Sequence, residues 1–187
     1  FAASMPLITP PAWAVLERQL IDVMNQAVHL FLEKYTHQDG PRRHELIWRD
    51  ELPGRDGADD FYESSYNWPL LYLLGGGDHL LELGQRQWDA ITRQLTQFGL
   101  VHKEYEVGYD QFHQGESYIY FYFLCLADPT NPINLDRARR FAGFYLNEDP
   151  EALNYDPEHN LIRAAHNGSG GPRGGGVDGE EPTYNLG

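Results

Sequence analysis

The sequence is poor in cysteine, in basic residues and in long apolar runs, and each shortage excludes a class of protein. A single cysteine, Cys125, permits no disulfide within the chain. Only 14 lysines and arginines stand against 28 acidic residues, the net charge is −14, and the sequence contains no basic stripe. Nucleic acid is therefore not an expected partner, because phosphate contacts need clustered Lys and Arg. No apolar run approaches the roughly 18 residues of a membrane span, so we expect no membrane partner either.

Aromatic residues are abundant by contrast, with 12 tyrosines, 9 phenylalanines and 4 tryptophans among 187 residues. The length is sufficient for one domain with a sizeable core, and the rings suit a packed interior or a ring-lined groove. We expect residues 12–146 to be helical and residues 147–187 to be rich in loops, since glycines crowd the stretch Gly168–Gly176. That stretch is not a phosphate loop, because no strand precedes it and the Lys-Ser/Thr ending is missing.

Three segments, 12–35, 79–98 and 134–146, have the apolar spacing of amphipathic helices. In the first segment the apolar residues step by three or four and predict a core-facing stripe of Trp13, Leu16, Leu20, Met24, Ala27 and Phe31. Two further segments, 61–74 and 116–126, become apolar on all sides and predict helices buried in the core. Pro69 is a difficulty for the first of these two, because proline inside a helix breaks the hydrogen-bond ladder.

The stretch Tyr109–Leu126 joins a polar half to a wholly apolar half. Asp110, His113 and Glu116 recur every third residue, which places them close to one face if the whole stretch is helical. The aromatic residues of 118–126 are also compatible with a buried strand. We favour the helix, because the neighbouring segments are helical and no partner strand is evident.

Buried and amphipathic helices alternate along the chain, and the connections are long before the buried helices and short after them. A weak repeat marks the starts of the two buried helices: Glu63-Ser64 with Tyr66 recurs as Glu116-Ser117-Tyr118, 53 residues later. The pattern predicts an all-α array of helical hairpins, with the buried helices inside and the amphipathic helices outside.

On this hairpin pattern, and on the stretches Tyr109-Asp-Gln-Phe-His-Gln-Gly-Glu-Ser and Glu63-Ser-Ser-Tyr-Asn-Trp-Pro, the chain resembles the α/α-toroid enzymes. These six-hairpin barrels include many glycoside hydrolases, polysaccharide lyases and sugar epimerases. Because five predicted helices are fewer than six hairpins contain, the resemblance implies an incomplete barrel. The chain is then expected to be the N-terminal part of a longer carbohydrate-active protein, or a smaller helical array.

Carboxylates lie near the starts of both predicted inner helices. Glycosidic cleavage needs two carboxyl groups on opposite sides of the scissile bond. We therefore take Asp60, Glu63 and Glu116 as candidate catalytic residues, with Asp60 and Glu116 as the acid–base pair. The alternative is a structural role, since acidic residues near helix starts often cap the helix or interact with its dipole.

Substrate binding is assigned to residues around these carboxylates, namely Tyr66, Trp68, Tyr109, Asp110, His113, Tyr118 and His166. Six of the candidates are expected to face one common cavity, because both inner helices would start at the same end: Asp60, Glu63, Tyr66, Asp110, His113 and Glu116. The spacing of Asp110, His113 and Glu116 is also compatible with a divalent metal. Structural zinc sites usually show closer sets of cysteine or histidine, so we expect no cofactor.

The three long loops, 36–60, 99–115 and 147–187, contain 18 acidic and 7 basic residues. Such a field repels polyanions and favours a neutral glycan or oligosaccharide as the partner. We expect a glycoside hydrolase-like enzyme, with a polysaccharide lyase or a sugar epimerase on the same fold as one alternative. A non-catalytic helical-repeat module that binds a partner in its groove is the alternative from a different class.

Overall fold

The computed structural model describes residues 9–47, 58–99, 101–106, 111–150, 153–164 and 183–185. Most of this part of the chain is helical. The helices are α1 (Ala12–Tyr35), α2 (Ala58–Glu63), α3 (Trp68–Leu73), α4 (His79–Gln97), α5 (Gln111–Ala127) and α6 (Pro132–Phe144). The strands are β1 (Val101–His102), β2 (Tyr105–Glu106), β3 (Tyr155–Asp156), β4 (Leu161–Ala164) and β5 (Thr183–Asn185).

The predicted buried helix 61–74 is two short helices, α2 and α3, separated by a turn over 64–67. Within this turn the Trp68 N–H donates to the Ser65 carbonyl, and α3 then begins with Pro69 in its first turn. Proline is tolerated there because the first N–H groups of a helix have no partner inside the helix. Asp60 therefore lies within the first turn of α2 rather than before a helix that begins at Phe61.

Helix α5 confirms the helical interpretation of Tyr109–Leu126 and lies at the centre of the packing. It contacts α2, α3, α4 and α6. Its buried rings join those of α4 and α6 in the main core, which comprises Leu46, Phe61, Tyr62, Trp88, Ile91, Leu95, Val101, Tyr118, Tyr120, Phe121, Leu124, Phe141 and Phe144. Tyr120, which is fully buried, also donates a 2.7 Å hydrogen bond to the carbonyl of Gly84 on α4.

One face of α5 is nevertheless exposed. Ile119, Tyr122 and Leu126 follow one another at helical spacing, and their exposed fractions are 38%, 61% and 61%. The prediction that this helix is buried on all sides is therefore wrong for the residues of α5 whose side chains the structure describes.

Helix α1 packs through only the last residue of the predicted stripe, Phe31, which is half-buried against both core clusters, together with residues that the prediction did not include. Trp13, Leu16 and Leu20 are more than half exposed, whereas Val28 and Leu32 are buried in a second core cluster with Trp68 and Leu80. The sequence offers two apolar faces on this helix, and spacing alone does not tell which face the protein covers.

The helices run up and down, so their connections gather at two ends. The short turns 74–78 and 128–131 line one pocket and form the short-turn end. At the long-connection end, 98–106 contacts 145–150 through Lys103 and Asp149, and 36–47 contacts the last turns of α4 through Leu46 and Gln94. Helix α1 reaches both ends, because Arg18 Nη1 donates to the Gly75 carbonyl at 2.7 Å and Tyr35 lies beside the first long connection.

Short strands modify the all-α prediction without changing the helical body. β1 and β2 form an antiparallel hairpin inside the predicted loop 99–115, and β3, β4 and β5 form an antiparallel sheet within 147–187. These pairings involve only two or three residues per strand, which is too short to produce a sequence period.

Within the described residues, no helix combines the length and apolar character that crossing a membrane requires.

Candidate functional site

A pocket at the long-connection end contains one of the predicted catalytic carboxylates. Its volume is about 180 Å³, and we call it the Asp60 pocket. Its lining is formed by the end of α1, the segment that follows it, α2 and the first residue after α2: Phe31, Tyr35, Leu46, Ile47, Asp60, Phe61 and Ser64.

The local sequence explains why Asp60 points outward. Phe61 and Tyr62, the next residues of α2, are 1% exposed and anchor the helix in the core, which leaves Asp60 on the exposed side. Ser64 Oγ donates to the Phe61 carbonyl at 2.7 Å and closes the last turn of α2. Tyr35 is 48% exposed, so its ring is accessible beside the carboxylate.

The wall opposite α2 is held by buried polar contacts. Thr36 and Leu46 form an antiparallel bridge, which folds the segment after α1 back on itself. Glu45 is 1% exposed, and its carboxylate accepts from Arg42 at 3.0 Å and from Arg93 at 2.8 Å. A buried carboxylate with two arginine partners satisfies the rule that buried charges are paired.

The other predicted residues that the structure describes are distributed between surface and core. Glu63 is exposed on α2, and Tyr66 is half-buried with its ring stacked on Phe123 of α5, at a centroid distance of 6.4 Å. Trp68 and Tyr118 are 5% and 7% exposed, so both rings belong to the core rather than to a surface open to a ligand.

The remaining predicted residues cannot be placed around the pocket. Tyr109, Asp110 and His166 lie outside the described residues, and for His113 and Glu116 only the helical backbone of α5 is described. Their helix does pack directly against α2, which carries Asp60. The common cavity therefore stays a prediction: Asp60 lines a pocket, and Glu63 is exposed on the same helix but does not line that pocket.

Sequence reasoning missed a charged cluster between α4 and α6, which we call the Glu104 cluster. Arg137 donates from Nε to Glu104 at 2.8 Å and from Nη2 to Asp89 at 2.5 Å, and Arg140 also donates to Glu104. Trp88 Nε1 donates to the same carboxylate at 3.3 Å. The available signal was the Arg137-x-x-Arg140 spacing on one face of a predicted helix.

The hairpin that presents Glu104 has an unusual turn. Lys103 and Glu104 are the two turn residues, and their φ angles are 46° and 72°. Such a turn favours Asn-Gly, because side chains rarely adopt positive φ. Ion pairs hold it on both sides, since Lys103 Nζ lies 2.6 Å from Asp149 while Glu104 binds the two arginines.

Electrostatics in the Glu104 cluster favour the charged form of Arg137. Burial alone would lower the pKa of this guanidinium, but the hydrogen bonds and charges of Glu104 and Asp89 raise it further than burial lowers it. Because Glu104 already has three donors, we interpret the cluster as a structural ionic network.

The described residues contain no group of three or more His, Cys, Asp or Glu side chains that could hold a metal ion. The divalent metal site that the sequence allowed consisted of Asp110, His113 and Glu116, whose side chains are not among those that the structure describes.

No curated protein and no solved structure shows significant similarity to the chain. Residues 1–186 match the family described as a domain of unknown function, DUF8034, and the chain belongs to that family.

Proposed function

We propose that this chain is part of a carbohydrate-active protein of α/α-toroid type, glycoside hydrolase-like, that acts on a neutral glycan. The observation that carries the proposal is the Asp60 pocket, in which an exposed carboxylate lies among Phe31, Tyr35 and apolar side chains. Sugars suit such a site, because the face of an aromatic ring packs against their C–H groups while a carboxylate accepts hydrogen bonds from their hydroxyl groups.

The packing supports the architectural half of the proposal. α4 packs on α3, α5 packs on both, and α6 packs on α5, and the Asp60 pocket is lined by the long connection that precedes α2. The exposed apolar faces on α1 and α5 are what an incomplete array would present to further hairpins.

In the proposed mechanism Asp60 and Glu116 form the acid–base pair, with Glu63 as the substitute for Asp60. The carboxyl group with the higher pKa donates a proton to the leaving oxygen, and the ionised group activates water or attacks the sugar. His113, one turn before Glu116, would tune the pKa of that carboxyl group. The direct contact between α2 and α5 supports this pairing.

The test is glycan binding by the intact chain and by Asp60→Asn. A panel of neutral oligosaccharides is screened by calorimetry, and one that binds is retested with the variant and with Asp136→Asn, which alters an exposed aspartate on α6. We expect Asp60→Asn to weaken binding about tenfold, the scale of one charge-assisted hydrogen bond, and Asp136→Asn to leave it unchanged. Equal affinities for the two variants, or no binding across the panel, would refute the proposal.

A second candidate, a non-catalytic binding module, is favoured by the exposed apolar stripe on α1, where Trp13 and Leu16 are 67% and 63% exposed. Turnover separates the candidates: an enzyme releases product from a bound glycan and loses that activity in Glu116→Gln, whereas a binding module releases none.

A further inference from the structure

Helix α1 has a second apolar face, which the rest of the described chain does not cover. It lies on the opposite side of the helix from Val28 and Leu32, which pack into the core. Five of its side chains are between 58% and 67% exposed, and its alanine is exposed as well. We call this face the α1 seam, and its members are Trp13, Leu16, Leu20, Val23, Ala27 and Leu30.

The α1 seam has the spacing by which one helix packs along another. From Trp13 to Leu30 its residues follow at alternating steps of three and four, which are the a and d positions of a heptad repeat. An apolar repeat of this period stays in line with a second helix, because two such helices wind around each other. Since core packing already holds α1 as a helix, the contact requires no new helix formation. The seam therefore fits a helix.

The seam is complementary to a second copy of itself. If two α1 helices run antiparallel, with a twofold axis between Leu20 and Val23, each a position faces a d position of the other copy. Leu20 then meets Val23 of the other copy, and Leu16 meets the small Ala27. A parallel pair would instead place Ala27 on Ala27 and leave a gap, which close packing disfavours.

Charge near the seam permits this contact although the chain is acidic. Helix α1 has three acidic and two basic residues, so it carries only −1 of the net charge of −14. Among the positions that flank the seam near the proposed axis, Gln19, Met24 and Gln26 are uncharged, and Glu17 would lie beside Met24 of the other copy. A membrane surface fits less well, because helices that lie on membranes carry many Lys and Arg residues.

The area of the seam is sufficient for a dimer. Its exposed side chains present about 600 Å² per copy, so two copies would bury about 1,200 Å² together, at the lower end of the range for specific interfaces. An interface of this size and apolar character is consistent with a Kd of about 1–10 μM.

We propose that two copies of this chain pair through the α1 seam, antiparallel about a twofold axis between Leu20 and Val23. The exposed face of α5 remains for further hairpins, so the dimer is compatible with the proposed function. The other occupant to consider for the seam is a hairpin of a longer protein, in which case the intact chain does not pair with itself in this arrangement.

The first experiment is sedimentation equilibrium of the intact chain at concentrations from about 1 to 100 μM. We expect the mass to rise from 21.4 kDa to twice that value. Leu20→Glu should weaken dimerisation at least about 100-fold, because it places an unpaired charge in an apolar contact. Leu126→Glu makes the same change at a residue of similar exposure on α5, 61% against 58%, and should leave the dimer intact. Circular dichroism and the melting temperature verify that both variants fold.

The second experiment mixes two variants that each weaken the dimer, Leu20→Glu and Val23→Lys. In an antiparallel pair the new glutamate of one chain faces the new lysine of the other, so the mixture should associate about tenfold more tightly than either variant alone. In a parallel pair the two charges do not face each other. A chain that stays monomeric, a dimer that survives Leu20→Glu, or a mixture no tighter than its components would each overturn the proposal.

Discussion

The side-chain amide of Gln94 forms two hydrogen bonds with the backbone of Leu46. The Leu46 N–H donates to Oε1 at 3.0 Å, and Nε2 donates to the Leu46 carbonyl at 2.9 Å. Both residues are buried, so a single amide supplies the two partners that a neighbouring strand would supply. This contact fixes the wall of the Asp60 pocket to α4. Asn147 pairs with both backbone groups of Tyr155 in the same way, at 2.6 and 2.9 Å.

Gln94→Glu should destabilise the protein at neutral pH and recover on acidification. The carboxylate still accepts from the Leu46 N–H, but it leaves the buried Leu46 carbonyl without a donor, at a cost of about 1–3 kcal/mol. Protonation restores an O–H donor in nearly the same place. Urea unfolding at several pH values measures the effect, with Gln97→Glu on the exposed end of α4 as the control. If both variants behave alike, the paired amide does not hold the segment.

Glu104→Gly should destabilise the protein although glycine suits the positive φ of this position. The substitution removes the better-buried of the two carboxylates that pair with Arg137, which is 6% exposed, and leaves Asp89 as the other; breaking a buried ion pair costs up to about 3–5 kcal/mol. Glycine also relieves the backbone strain at φ 72°, but this offsets only about 1 kcal/mol of the loss. Glu104→Gln separates the two effects, because it removes the charge and keeps a side chain. A stable Glu104→Gly with an unstable Glu104→Gln would show that the turn, not the ion pair, determines the stability.

His44 should make the protein less stable in acid. Burial lowers the pKa of this imidazole from its usual 6.5, and the charges of Arg43, Arg86 and Arg93 lower it further. As the pH falls below 6.5 the unfolded chain takes up the proton first, so stability is present above that pH and is lost towards the lower folded-state pKa.

His44→Asn removes this titration while tolerating the left-handed backbone, since His44 has a φ of 68° and asparagine adopts this region readily. The free energy of unfolding measured on both sides of pH 6.5 should therefore change less in the variant than in the parent. An unchanged pH dependence would show that His44 contributes nothing to it.

The sequence predicted the helices well wherever a single apolar period dominated a segment. The bounds of α1 were predicted to the residue and those of α4 to within one residue, because long apolar patterns determine long helices. Helix α5 begins at Gln111, five residues before the predicted start at residue 116, so the end of the predicted loop 99–115 is helical. Pattern could not choose the covered face of α1, because that choice depends on what packs nearby. Val28 and Leu32 pack with Trp68 of α3, and the apolar spacing within α1 contains no information about that tertiary contact.

The candidate site was less predictable than the helices. Asp60 was singled out for its place before an inner helix, but Tyr35 and Ile47 line its pocket only because the chain folds back at Thr36 and Leu46. The Lys103-Glu104 turn lacks the Asn-Gly signal of a hairpin, so the only sequence signal of the Glu104 cluster was the Arg137-x-x-Arg140 spacing on α6. Both features depend on contacts between segments that are far apart in sequence.

Tyr35 should contribute ring contact to glycan binding in the Asp60 pocket, and this prediction separates stacking from electrostatics. Tyr35→Ala removes the ring and should weaken binding of a responsive oligosaccharide about threefold to tenfold, since aromatic contacts are worth about 0.5–1.5 kcal/mol. Tyr35→Phe keeps the ring and should retain most of the affinity. Tyr122→Ala removes a tyrosine that is more exposed than Tyr35, 61% against 48%, from the exposed face of α5 and should have no effect. If Tyr35→Ala binds as tightly as Tyr122→Ala, the sugar does not occupy this pocket, and Asp60 would then be only a surface carboxylate in the first turn of α2.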